Sequence, residues 1–93
     1  MLNHTKITQA VEKATKFFPL AKVDYFGSYA LGNATEDSDL DLLVEYEAIP
    51  ISVLTTVALK HFLEDELGKA VDVISAPIPR DAIIKIDKRV SVL

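Results

Sequence analysis

The chain has 93 residues, of which 49% are hydrophobic and 26% charged, with a formal net charge of −4 and no cysteine. These values exclude disulfides and thiolate metal sites, argue against a broad nucleic-acid-binding surface, and fit one small globular domain over residues 1–93. No apolar run reaches the roughly 18 residues of a membrane span, and the N-terminal stretch, amphipathic and carrying a Glu, lacks the apolar core of a secretory signal; the expected compartment is cytoplasmic.

A first helix is expected over Thr5–Phe18, because Ile7, Val11, Ala14 and Phe18 recur at spacings of three and four. Thr5 is its expected N-cap, and Pro19 stops it. A short strand over Val23–Phe26 ends at Gly27. Tyr29-Ala30-Leu31 reads as a short helical turn, and the polar run Gly32–Ser38 as a loop. Leu40–Tyr46 is a second strand. Pro50 opens a helix over Ile51–Leu67, with Leu54, Ala58, Phe62 and Leu67 as its apolar stripe and Gly68 as its C-terminal stop. Ala70–Ile74 reads as a buried third strand. Pro79 suits the first turn of a last helix, Pro79–Lys88, and Arg89–Leu93 forms a final short strand or a tail. The order implies an α/β fold, a small mixed β-sheet packed by helices.

The chemistry concentrates in GSYALGNATEDSDLDLLVEY. Gly27-Ser28 is followed by ten residues and then by Asp39-Leu40-Asp41. Side chains alternate along a strand, so Asp39 and Asp41 point the same way, about 6–7 Å apart. Unpaired carboxylates so placed raise each other's pKa, and a divalent cation removes that penalty. Asp72 interrupts the otherwise apolar Val71-Asp72-Val73-Ile74, where an unpartnered buried carboxylate would be costly. All-oxygen ligands favour Mg²⁺ or Mn²⁺ over Zn²⁺. Gly27 permits close approach of a phosphate to backbone amides, and the Ser28 hydroxyl adds a donor. Ser38, just before Asp39, suits either a loop hydrogen bond or a ligand contact. His4 and His61 are not spaced as metal ligands. Tyr25, Phe26, Tyr29 and Tyr46 suit packing. The cluster Arg80, Lys85, Lys88 and Arg89 suits a solvated helix face or a contact for phosphate or an acidic partner.

These residues carry a resemblance. GS-x10-D-x-D, with an apolar strand after the second Asp and a later V-D-V-I strand, resembles the DNA polymerase β-type nucleotidyltransferase superfamily. With no second domain expected, the chain is similar to the minimal nucleotidyltransferases, the MNT or MntA-like proteins. The resemblance implies that Asp39, Asp41 and Asp72 are catalytic metal ligands for two Mg²⁺ ions. It implies that Gly27, Ser28 and Ser38 bind the nucleotide, and that AMP passes from ATP to a hydroxyl of a protein partner. Minimal members are often antitoxins paired with a HEPN-type RNase toxin, which would be the acceptor in a hetero-oligomer; a homodimer is the other expected assembly. The chain departs from the family at Leu31, where a basic residue, usually Arg, is common. A non-catalytic subunit that neutralises its partner by binding is the alternative, and transfer to a small molecule a more distant one.

Overall fold

A computed structural model describes residues 2–47, 51–75 and 88–93. The expected last helix, with Arg80 and Lys85, lies almost wholly outside the described residues. Helix α1 spans His4–Ala14. It starts one residue before the expected cap: the Asn3 side chain, not Thr5, accepts the Lys6 amide at 2.8 Å. It ends four residues early. Thr15–Phe18 wind on as turns, with the Phe17 and Phe18 amides both reaching the Ala14 carbonyl at 3.0 Å.

Strand β1 spans Leu20–Phe26, earlier than the expected start at Val23. Its first residues pair irregularly, with a register shift between Leu20 and Lys22, which hides the alternation in sequence. Helix α2 is one turn, Ser28–Leu31. Strand β2 spans Leu40–Tyr46, as expected. Helix α3 spans Val53–Leu67, capped by Ser52 and closed by Gly68 in the left-handed conformation. Strands β3, Val71–Ser75, and β4, Arg89–Ser91, complete the set among the described residues.

The four strands form one mixed sheet in the order β3-β2-β1-β4. β1 is antiparallel to β2 and β4, whereas β2 and β3 run parallel. One sheet face carries Val23, Tyr25, Leu40, Leu42, Val44 and Val71, which pack with Ile7, Ala10, Val11 and Ala14 of α1 and with Leu59 and Leu63 of α3. The opposite face carries a smaller cluster, Phe26 and Leu43 with Ile74 against them. By strand alternation Asp24, Asp41 and Asp72 share this second face.

The apolar stripe expected on α3 is half right: Phe62 and Leu67 are partly buried against the core, but its other two residues are not. Leu59 and Leu63 are the buried residues of α3, whereas Leu54 is 78% exposed and Ala58 also faces outward. The helix is apolar on both faces, so periodicity does not distinguish them. Strand β3 is not fully buried either: only Val71 is, and Asp72 is exposed. As an outer strand whose second face is not packed by α3, β3 leaves its Asp at a wet surface.

Candidate active site

The register of the sheet assembles the site. In the parallel pairing of β2 with β3, Asp41 stands directly opposite Asp72. In the antiparallel pairing of β1 with β2, Phe26 stands opposite Asp41, so the turn after Phe26 begins beside that carboxylate. That turn is Gly27, with φ 70° and ψ −145°, a conformation open to glycine and strained for other residues. A Cβ on Gly27 would collide with Oδ2 of Asp41. Gly27 is therefore favoured by its backbone angle, and a side chain there would also push the Asp41 carboxylate aside.

α2 begins immediately after Gly27. The Leu31 amide donates to the Gly27 carbonyl at 3.0 Å, closing the turn, while the first amides of a helix have no acceptor within it. Ser28 is the first residue of this turn. The turn at Gly27 thus sits against Asp41, with Ser28 next in the chain.

Asp41 has a raised pKa. Burial contributes most, followed by the negative charges of Asp72 and Asp39 and a hydrogen bond with Asp72 that favours the protonated form. Asp39 stands just before β2 and is exposed. It acts on Asp41 through its charge. Among the described residues, no three carboxylate or imidazole groups converge to enclose one ion. The structure brings Asp41 and Asp72 together, with Asp39 at the margin. Such a set still fits Mg²⁺, which is commonly held by one or two carboxylates, several waters and the phosphates of its substrate rather than by a protein cage. Burial first, and then the adjacent carboxylates, raise the pKa of Asp41; a hard cation would relieve the repulsive part.

Ser38 knits the loop. Its hydroxyl oxygen accepts the Thr35 amide at 2.9 Å and lies 3.3 Å from the Thr35 hydroxyl, while its own amide donates to the Thr35 carbonyl. Lys69 donates to the Glu36 carbonyl and ties the same loop to the end of α3. Leu31 is 59% exposed at the end of α2. The two histidines stand apart: His4 Nδ1 is 3.0 Å from the Tyr25 hydroxyl, and His61 is exposed near Glu64.

Two features escaped the sequence reading. Asp24 is 3% exposed, with Oδ2 at 3.6 Å from Arg89 and 3.8 Å from Lys22 and, among the described residues, no hydrogen-bond partner for Oδ1. Its place within Val23–Phe26 was the available signal. The other is the pair Lys60 and Glu64, one turn apart on α3, both of which reach the backbone of Val71. The i,i+4 spacing signals a helix-surface ion pair; it cannot signal the strand that the pair grips.

Comparison with known proteins agrees with this geometry. The model of the nucleotidyltransferase domain family matches residues 6–92. The chain belongs to the nucleotidyltransferase family. It is 41% identical over 68 residues to the protein adenylyltransferase MntA of Thermococcus cleftensis, covering 73% of this chain and 68% of that protein. Its fold is similar to that of a solved structure described as a putative minimal nucleotidyltransferase, with a TM-score of 0.74 and 31% identity over 92% of this chain and 88% of the other. It also superposes, with a TM-score of 0.71 and 16% identity, on a chain of a complex between a tri-AMPylated Shewanella oneidensis HEPN toxin and an MNT antitoxin, covering 98% of this chain and 72% of that one. The fold is thus that of a minimal nucleotidyltransferase. Among the described residues, no helix is long and apolar enough to cross a membrane.

Proposed function

We propose that this nucleotidyltransferase transfers AMP from ATP, with Mg²⁺, to a hydroxyl of a protein partner, and that the partner is a HEPN-type toxin. The observation that carries the reading is the register that sets Asp41 against Asp72, beside a Gly27 whose missing side chain leaves room for the carboxylate. The names of the relatives, a protein adenylyltransferase and an MNT antitoxin in complex with its AMPylated toxin, support the acceptor class.

In this reading Asp41 and Asp72 hold the divalent ions, with Asp39 completing the set from the margin. Mn²⁺ would serve in place of Mg²⁺. Bound there, the ions would neutralise the triphosphate and stabilise the attacking and leaving oxygens. The free amides of α2 and the Ser28 hydroxyl hold the outer phosphates. Ser38 contributes by fixing the loop that delivers Asp39. The acceptor oxygen bonds to the α-phosphorus as the bridge to the β-phosphate breaks; pyrophosphate leaves, and the hydroxyl proton passes to Asp72 or to water. Holding the reactants in line is most of what phosphoryl-type transfer asks of a protein. The acceptor brings its own surface, in a hetero-oligomer with this domain of residues 1–93.

The test is the intact mass of the toxin after incubation with this protein, ATP and Mg²⁺. A gain of one or more AMP units is expected. It should be lost on chelation and fall by about a hundredfold or more in Asp41→Ala and Asp72→Ala, with Asp39→Ala also impaired. Transfer retained in all three variants would sink the assignment. The exposed Leu31, at a position where a cation is common in the family, favours a second reading, a subunit that neutralises by binding alone. That reading predicts a stable complex without mass gain, and a gain that appears in Leu31→Arg.

A further inference from the structure

Among the described residues β3 is an outer strand of the sheet, and one side of its backbone has no strand partner there. The Leu40 amide donates to the Ala70 carbonyl at 3.1 Å, which turns the groups of Ala70 toward β2 and those of the next residue, Val71, outward. Both outward groups of Val71 are taken by α3. Its amide donates to Glu64 Oε2 at 3.1 Å, and its carbonyl accepts from Lys60 Nζ at 2.6 Å. Lys60 also donates to the same Glu64 oxygen at 3.1 Å, so the two side chains and one residue's backbone close a ring of hydrogen bonds. At the far end of β3 the Thr56 hydroxyl lies 3.1 Å from that of Ser75 and 2.9 Å from that of Tyr46. α3 is therefore fastened to β3 at both ends, and Asp72 is the residue immediately after the tighter fastening.

We propose that Lys60 and Glu64 are positioning residues for Asp72: by gripping both backbone groups of Val71 they hold the exposed outer strand in the register that sets Asp72 opposite Asp41. The inference rests on the reading of Asp72 as a metal ligand. Protection of a bare strand edge alone would need either group covered, by any polar side chain. A charged pair that takes both groups of the one residue before the ligand fixes position as well. An outer strand held from one side only is free to shift, and a small shift separates the two carboxylates.

The experiment measures Mn²⁺ affinity by the loss of its free-ion paramagnetic resonance signal, together with exchange of the Val71 amide, in the wild type and in Glu64→Leu, Lys60→Met, Lys60→Arg and Asp72→Ala. The two removal variants are expected to keep their circular dichroism, exchange the Val71 amide faster, and bind Mn²⁺ roughly tenfold or more weakly, the scale on which supporting contacts act on metal sites. Lys60→Arg should restore most of the affinity. Folded Glu64→Leu and Lys60→Met that bind Mn²⁺ like the wild type, while Asp72→Ala does not, would overturn the positioning role and leave the metal reading standing. Should Glu64→Leu fail to fold, Lys60→Met carries the same test. Wild-type affinity in Asp72→Ala would overturn the metal reading of Asp72, and this inference with it.

Discussion

Asp41 stores a conflict that function would resolve. Burial and the charges of Asp72 and Asp39 raise its pKa. The folded chain then holds the proton more tightly than the unfolded one. Stability is therefore greatest below the ordinary carboxylate value and is lost as pH rises from that value through the raised one. Asp41→Asn removes the conflict. Because the group is only half-buried, solvent screens the repulsion, and the relief is about 0.5–1 kcal/mol at neutral pH without metal. That corresponds to a melting temperature roughly 2–8 °C higher. The difference from wild type should close as the pH falls and Asp41 takes up its proton. A variant no more stable than wild type at neutral pH would show that Asp41 and Asp72 do not repel, and would weaken the case for a cation between them. Glu64 runs the other way. The Val71 amide and then Lys60 lower its pKa, so its contribution is present above the ordinary value and lost as pH falls through the lowered one. The comparison with Asp41→Asn cancels this opposing slope.

At the scale of elements, α3 decides what the sequence could reveal. Leu63 is 1% exposed, and its truncation to Ala should cost about 2–5 kcal/mol. Leu54 is 78% exposed, and Leu54→Lys should move stability by no more than about 0.5 kcal/mol. Urea denaturation of the two variants separates the faces, and a large loss in Leu54→Lys would restore the stripe that the periodicity suggested. That stripe held at Phe62 and Leu67 and failed at Leu54 and Ala58, because α3 is apolar on both sides and spacing had little contrast to read. Where contrast existed the reading held: Ile7, Val11 and Ala14 are buried, β2 spans the expected residues, and Gly68 closes α3. Element ends fared worse. Asn3 outcompetes Thr5 as the cap, and the irregular start of β1 disguises a strand. The three aspartates were legible as a motif, but for Asp72 the supporting argument was misplaced. It is exposed on an outer strand, and its significance comes from facing Asp41 across a parallel pair. Register between strands separated by a helix is not written in local spacing, and neither is the hold of Lys60 and Glu64 on Val71.

For the molecule as a whole, the core and the site are built on different faces of one sheet. Val23, Leu42, Val44 and Val71 pack with α1 and α3, while Asp41 and Asp72 project on the other side. The fold therefore does not need a metal to form, and the chelated, nucleotide-free protein should still unfold in one cooperative transition. Ligand binding should nevertheless stabilise the fold, because the proposed ligands come from β2, β3 and the Gly-Ser corner and would be tied to one another. At a hundred times the dissociation constant, Mg·ATP should add about 2.7 kcal/mol. For a chain of this length that is a rise of roughly 10–20 °C. ATP with a chelator should give little of it, since the triphosphate would then face Asp41 and Asp72 without a cation between them. Asp41→Ala should abolish the rise, although it starts from a stability at or above that of wild type. A rise that persists in both Asp41→Ala and Asp72→Ala would place the nucleotide away from the paired carboxylates. Differential scanning fluorimetry across these conditions thus reads site and fold separately.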